Sequence, residues 1–389
     1  MFCQRCGTEI TDELQKFCHK CGEPLRFAGE NGNWQEGGSK KRESRGVTSK
    51  LNAFVGGEGK LNLHLRDMVS GVLKHHTAEE TEELFICGTS KTTPAESEIL
   101  TEWPKPWLYS RVFVLLMLVY FALTLMWKVM GNPYALMNIP YMGTLIAPIT
   151  ILVFFFEMNV PRNISMIKTF KVFLVGGVAS LFFTLLLFGI APDHNLSYIS
   201  GAVVVGIVEE IGKIGICAYF INKHKGKLYL LNGIVYGGAV GAGFAVFESV
   251  GYALYYGMEY GAVKLIETRA LENLYNAFYV RMLDMVKMRG FFSPGGHIAW
   301  AAVEGFAIIL ALKGAEFGWE ALAKSTFLKV VWIPIALHAF WDAPLFDETE
   351  FMRNGKYIFC IVVIWIVLLV FITKGLHEVS ERKRNVKGE

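Results

Sequence analysis

From residue 108 to about residue 375 the chain is a series of apolar runs, each roughly twenty residues long, the length that spans the hydrocarbon of a bilayer. Inside hydrocarbon there is no water to satisfy a peptide group, so each such run has to form a helix. Residues of the AVILMFWYC set make up 53% of the chain and charged residues 19%, below the roughly 25% charged of a soluble domain. Lys and Arg number 38 and Asp and Glu 35, and 30 of these lie in the first 105 positions. A polar front third therefore precedes an apolar body. A soluble enzyme is excluded. The net charge of +3 gives no sign of a nucleic-acid partner. The fold class is an all-α polytopic membrane protein.

Eight spans are expected, at about 112–130, 134–156, 172–190, 198–221, 230–256, 296–312, 327–346 and 357–373, within a membrane domain of 108–375. The stretch 257–293 is mixed and charged, and reads as a helical insertion outside the membrane or at its surface. Loop charge sets the orientation. Arg162, Lys168 and Lys171, then Lys223, Lys225 and Lys227, then Lys313, Lys324 and Lys329 share one side, while the turns at 131–133 and 192–195 carry no Lys or Arg. The positive-inside rule then places both termini, including a basic tail at 376–389, in the cytoplasm of a multi-pass protein of the cell membrane.

No secretory signal opens the chain. Residues 1–26 carry Cys3-x-x-Cys6 and Cys18-x-x-Cys21, each pair followed by glycine. Two thiolate pairs on tight turns can close a tetrahedron around one structural Zn²⁺. This zinc ribbon is expected on the reducing, cytoplasmic side, where it can meet a cytoplasmic partner. A flexible Gly/Ser-rich linker follows at 27–60, then a small juxtamembrane helical unit at 61–107. Adjacent His75 and His76 read as solvated surface, because neighbours on a helix face different ways. Trp103 and Trp107 read as anchors at headgroup depth. Cys87, Cys217 and Cys360 stand singly and read as buried small side chains.

The chemistry sits in the later spans. Glu209, Glu210 and Lys213 lie on one helical face near the middle of the fourth. Glu248 and Tyr252 follow one turn apart on the fifth, His297 and Glu304 on the sixth, and His338 and Asp342 one turn apart on the seventh. An ionisable group at bilayer centre costs roughly 2.5 kcal/mol or more, so such groups face the interior and serve a pathway or a reaction. Any one of them can be a structural hydrogen bond; four successive spans bearing them point to a site. Gly233, Gly237 and Gly241 form small-xxx-small steps that allow close helix packing beside it. Paired carboxylates with histidines suit general acid–base hydrolysis by a bound water. The same carboxylates also suit a relay in a proton-coupled transporter or channel, although no inverted repeat is visible. A non-catalytic scaffold fits the acids least.

Glu209-Glu210-x-x-Lys213, Phe247-Glu248-x-x-x-Tyr252, His297 and His338-x-x-x-Asp342, in this order on successive spans, resemble the PrsW family of intramembrane proteases, distantly similar to the type II CAAX prenyl endopeptidases. The resemblance covers about 198–346. It implies hydrolysis of a membrane-anchored protein, commonly an anti-sigma factor, with Glu209 and Glu210 as catalytic acids and His297 and His338 completing the centre. Lys213, Glu248, Tyr252 and Asp342 support them. A catalytic metal is left open: His297, His338, Glu248 and Asp342 can ligate zinc with Glu209 as base. The reading leans to a metal-free centre, because His338 and Asp342 alone share one helix at ligand spacing.

Overall fold

The structure is a computed structural model that describes residues 65–387. The four cysteines of the expected ribbon, Cys3, Cys6, Cys18 and Cys21, and the linker at 27–60 lie outside the described residues. All regular structure within them is helical. Apart from single turns, the elements are α1 (Ala78–Phe85), α2 (Leu108–Met130), α3 (Pro133–Met158), α4 (Met166–Phe188), α5 (Ile199–Asn222), α6 (Leu230–Thr268), α7 (Leu271–Phe292), α8 (His297–Leu312), α9 (Ser325–Asp342) and α10 (Glu350–Lys387).

Among the described residues, six helical runs are long and apolar enough to cross a membrane: α2, α3, α4, α6, α7 with α8 taken together as Leu271–Leu312, and α10. The other two of the eight expected spans are present as helices but are more polar. Glu209, Glu210 and Lys213 lie in α5, and Lys329, His338 and Asp342 in α9. The two helices that miss the apolar criterion are thus the ones carrying most of the candidate site.

α6 has 39 residues, about 58 Å at 1.5 Å per residue, roughly twice a hydrocarbon thickness of about 30 Å. It ends at Arg269 in the left-handed conformation, φ 57°. The chain then returns along it as α7 and α8 in series. The segment at 257–293 is helical, as expected, but it is no appendage. Gly257 and Gly261 of α6 receive Phe278 of α7 at 3.0 and 3.3 Å from an ideal Cβ position, and Gly143 of α3 meets Val286. Leu136, Ile139, Ala253, Met282, Met285 and Val286 form a separate buried cluster here.

Ser293-Pro294-Gly295-Gly296 breaks the return leg, and α8 restarts at His297. Proline and two glycines cannot continue a helix cheaply. The break is enclosed by protein: Trp365 of α10 donates through Nε1 to the Pro294 carbonyl at 2.9 Å, and Gly295 packs on Ile361. α8 then lies backbone to backbone on the glycine stripe of α6. A Cβ at Gly233, Gly237 or Gly241 would collide with the carbonyl of Gly305, Ala301 or His297 respectively. The small-xxx-small steps are therefore what brings His297 up to Glu248.

The 65–107 unit differs in detail from its expectation. Among the described residues its longest helix is α1, in the acidic run, where Thr77 and Glu80 form a reciprocal capping box. His76 is not solvated surface: its ring stacks on Trp107 at 3.8 Å and meets the Gly71 carbonyl at 3.0 Å. Trp107 is buried in protein rather than facing headgroups. Glu157 of α3 accepts from the backbone amides of Trp107, Leu108 and Tyr109 at 2.8, 2.9 and 2.9 Å, capping the start of α2. The tail expected at 376–389 continues α10 as helix to Lys387, with Lys383 donating to the Ile99 carbonyl at 2.8 Å. Cys87, Cys217 and Cys360 are free and buried, as expected.

Candidate active site

Four helices converge. α5 presents Glu209, Glu210 and Lys213, all buried. α6 presents Glu248, α8 opens with His297, and the last turn of α9 presents His338 and Asp342. Lys213 donates to Glu210 Oε1 at 2.7 Å and to His297 Nδ1 at 2.9 Å. His297 Nε2 donates to Glu248 Oε2 at 2.9 Å. His338 Nδ1 pairs with Glu210 Oε1, and its Nε2 lies 3.2 Å from Asp342 Oδ2 and 3.6 Å from Glu209 Oε2. Glu209 Oε2 is 3.9 Å from His297 Nδ1. The two rings meet edge to face at 5.1 Å. All four residues expected to be catalytic, and three of the four supporting ones, thus form one connected set.

Tyr252, the fourth supporting residue, stands at the edge. Its ring lies under the Arg289 guanidinium at 4.5 Å and against the α6–α7 cluster rather than among the acids. Arg289 is the residue that sequence reasoning missed. From α7 it donates to Glu248 Oε2 and, through Nε, to Ser249 Oγ at 2.8 Å. On sequence it was one more loop charge, because its partner lies 41 residues away and no helical period links them. Trp300 and Phe244 also line the cluster: Trp300 stacks on His338 at 4.5 Å, and Phe244 lies 4.9 Å from His297 and 4.8 Å from the Lys213 ammonium. Trp300 follows His297 by three positions, so the helical period carried a faint signal for it.

The charges do not balance. Glu209, Glu210, Glu248, Glu304 and Asp342 face Lys213 and Arg289 and two histidines. Glu304 is fully buried beside Lys213 and within hydrogen-bonding reach of Glu210, a contact that needs a proton between the two carboxyl groups; Glu209 Oε2 has no hydrogen-bond partner. Uncompensated buried charge is expensive, several kcal/mol per ion. Protons or a further cation are needed to offset it.

The geometry suits a cation. Ligand atoms of Glu209, His297 and His338 all lie within 4.8 Å of one another. Glu248 and Glu210 each hold the far nitrogen of one ring, the carboxylate–histidine arrangement that orients metal-ligating imidazoles. The lean toward a metal-free centre rested on the lack of paired ligands on one helix; these three come from three helices, α5, α8 and α9, a grouping that no sequence spacing displays. A cavity of about 1370 Å³ lies elsewhere, at the opposite ends of α5 and α8 from the acids, lined by His224, Lys313 and Glu378 among others.

No curated protein and no solved structure matches the chain. A family model described as PrsW family intramembrane metalloprotease matches residues 165–372, more than half of the 389 residues, and spans α4 through most of α10 with every member of the cluster. The chain therefore belongs to the PrsW family of intramembrane metalloproteases, and is a multi-pass membrane peptidase.

Proposed function

We propose that the cluster of Glu209, Glu210, His297 and His338 is the peptidase centre and that it hydrolyses a peptide bond in or near the membrane segment of a membrane-anchored protein. One observation carries this reading: the unpartnered Glu209 Oε2 faces ring nitrogens of two histidines on two other helices, in a pocket with more carboxyl groups than cations. Glu209 Oε2 and His338 Nε2 would hold the family's metal ion, and His297 Nδ1 would join them once its hydrogen bond from Lys213 opened. Bound there, a zinc-type ion supplies a Lewis acid for the scissile carbonyl and a water acidic enough to be a hydroxide near neutral pH.

The chain's own groups do the rest. Glu210 holds His338 through Nδ1, and Glu248 holds His297 through Nε2, so both rings keep one orientation. Lys213 offsets Glu210 and fixes the protonation of His297. Asp342 lies 3.2 Å from His338 Nε2 and its side chain is 22% exposed, against 3% for His338. It is the carboxylate at the mouth of the cluster, placed to take a proton from the attacking water and return it to the leaving amine.

The reading includes α5 and α9 as spans, giving eight crossings with both termini cytoplasmic, on the loop charges given above. The break at Ser293–Gly295 and the start of α8 then lie at membrane depth, toward the non-cytoplasmic side. The substrate class implied by the family resemblance is an anti-sigma factor. The zinc ribbon serves as a separable cytoplasmic module: a Cys₄ site leaves no open coordination position. Removing residues 1–59 leaves basal cleavage intact and alters its control.

Membrane-fragment proteomics of cells carrying wild type, Glu209→Gln, Glu210→Gln or His338→Ala tests the site, with metal content of each purified protein measured alongside. Each variant should insert and accumulate yet lose the fragments, and Glu209→Gln and His338→Ala should also lose bound metal. Unchanged fragments in all three variants would remove the cluster from catalysis.

A further inference from the structure

We propose that Arg289 is a positioning residue of the peptidase centre: it fixes the Glu248 carboxylate and, through it, the orientation of His297. The proposal rests on the reading of the Glu209 cluster as that centre. Arg289 and His297 donate to the same oxygen, Glu248 Oε2. The guanidinium is itself held twice more by α6, at Ser249 Oγ (2.8 Å) and under the Tyr252 ring (4.5 Å). Three positions of α6, 248, 249 and 252, therefore grip one planar fork whose geometry is rigid.

The consequence runs along a single line. Lys213 has donors and no acceptor, so His297 Nδ1 must accept from it and Nε2 must carry the proton. That proton needs a fixed acceptor. A glutamate joined to the site by His297 alone would be free to rotate away, leaving the ring hinged on Lys213. Arg289 removes that freedom. The residue comes from α7, so the 257–293 segment becomes a working part of the centre. A staple that merely joined α6 to α7 would affect folding alone and would leave the His297 Nε2–H bond to Glu248 untouched.

The test uses full-length protein in detergent, with a quenched-fluorescent single-span peptide as substrate and ¹⁵N-histidine spectra as a readout that needs no substrate. Arg289→Met should lower kcat about 10- to 100-fold, the loss typical when the support of an active-site histidine is removed, with KM within about twofold. The His297 Nε2–H signal, held by its hydrogen bond to Glu248 in the wild type, should shift and exchange faster with solvent. Arg289→Lys should recover part of the rate. Combined with Glu248→Gln, Arg289→Met should add little further loss, because the two act in series. If Arg289→Met does not accumulate, Arg289→Lys alone decides, and wild-type kcat with an unchanged His297 Nε2–H signal overturns the proposal. Full activity of Arg289→Met beside an inactive Glu209→Gln overturns it while sparing the site reading. Full activity of both overturns the site reading as well.

Discussion

Lys213 on α5 and His297 at the first position of α8 are 84 residues apart in sequence, yet the Lys213 ammonium donates to His297 Nδ1 at 2.9 Å. The same ammonium donates to Glu210 Oε1 at 2.7 Å. A single buried cation therefore ties a carboxylate one turn away on its own helix to a histidine on another.

Removing that cation should be costly. Lys213→Met leaves Glu210 buried and without its ion pair, and breaking one side of a buried pair typically costs about 3–5 kcal/mol. Melting of the purified protein should fall by several degrees, and cleavage should be lost with it. A wild-type melting curve for Lys213→Met contradicts the pairing.

Glu304 should behave in the opposite way. Glu304 and Glu210 are hydrogen-bonding neighbours, and an amide at position 304 can keep a donor to Glu210 while removing one carboxyl from a site with too many. Glu304→Gln is expected to be neutral or to gain up to about 1 kcal/mol, read as a melting temperature unchanged or higher by up to about 2 °C. A lower melting temperature would show that the Glu304 charge is itself needed.

The glycine stripe of α6 offers a steric test. Valine at Gly237 meets the Ala301 carbonyl, and overpacking of this kind costs about 1–3 kcal/mol and displaces the backbone. Because α8 carries His297, activity should fall further than stability does. Gly251 on the same helix has nothing within 4 Å of its Cβ position, so Gly251→Ala should be neutral or stabilising by up to about 1 kcal/mol. Equal losses at both sites would mean the stripe does not position α8.

Acid should loosen the loop between α5 and α6. Burial, together with the Lys168 charge, pushes His224 from its ordinary 6.5 down to about 4, and its Nδ1 meets the Tyr236 hydroxyl at 2.9 Å. A histidine whose folded pKa is depressed is neutral in the fold and protonates first in the unfolded chain. Its contribution to stability is full above about 6.5 and declines as pH falls toward 4. Protection of the 223–229 amides from hydrogen exchange, taken relative to the unstructured rate at each pH, should fall across that window in wild type and stay flat in His224→Asn.

Periodicity and spacing by themselves determined the helical membrane class, the position of nearly every helix, and the stripe bearing Glu209, Glu210, Lys213, Glu248, His297, His338 and Asp342. Those signals are local: a helix repeats every 3.6 residues, so a polar face or a glycine step is visible within one segment. Sequence could not give the distances between segments. The pairing of Lys213 with His297, the grouping of Glu209 with two histidines from different helices, and the grip of Glu248 by Arg289 exist only once α7 and α8 have folded back along α6. The 257–293 stretch shows the difference most plainly. Its charges read as solvent exposure along the chain, whereas in the fold Arg289 is half-buried against Glu248 and its helix packs on α3, because a buried carboxylate is a stronger local demand than the average polarity of the segment that supplies its partner.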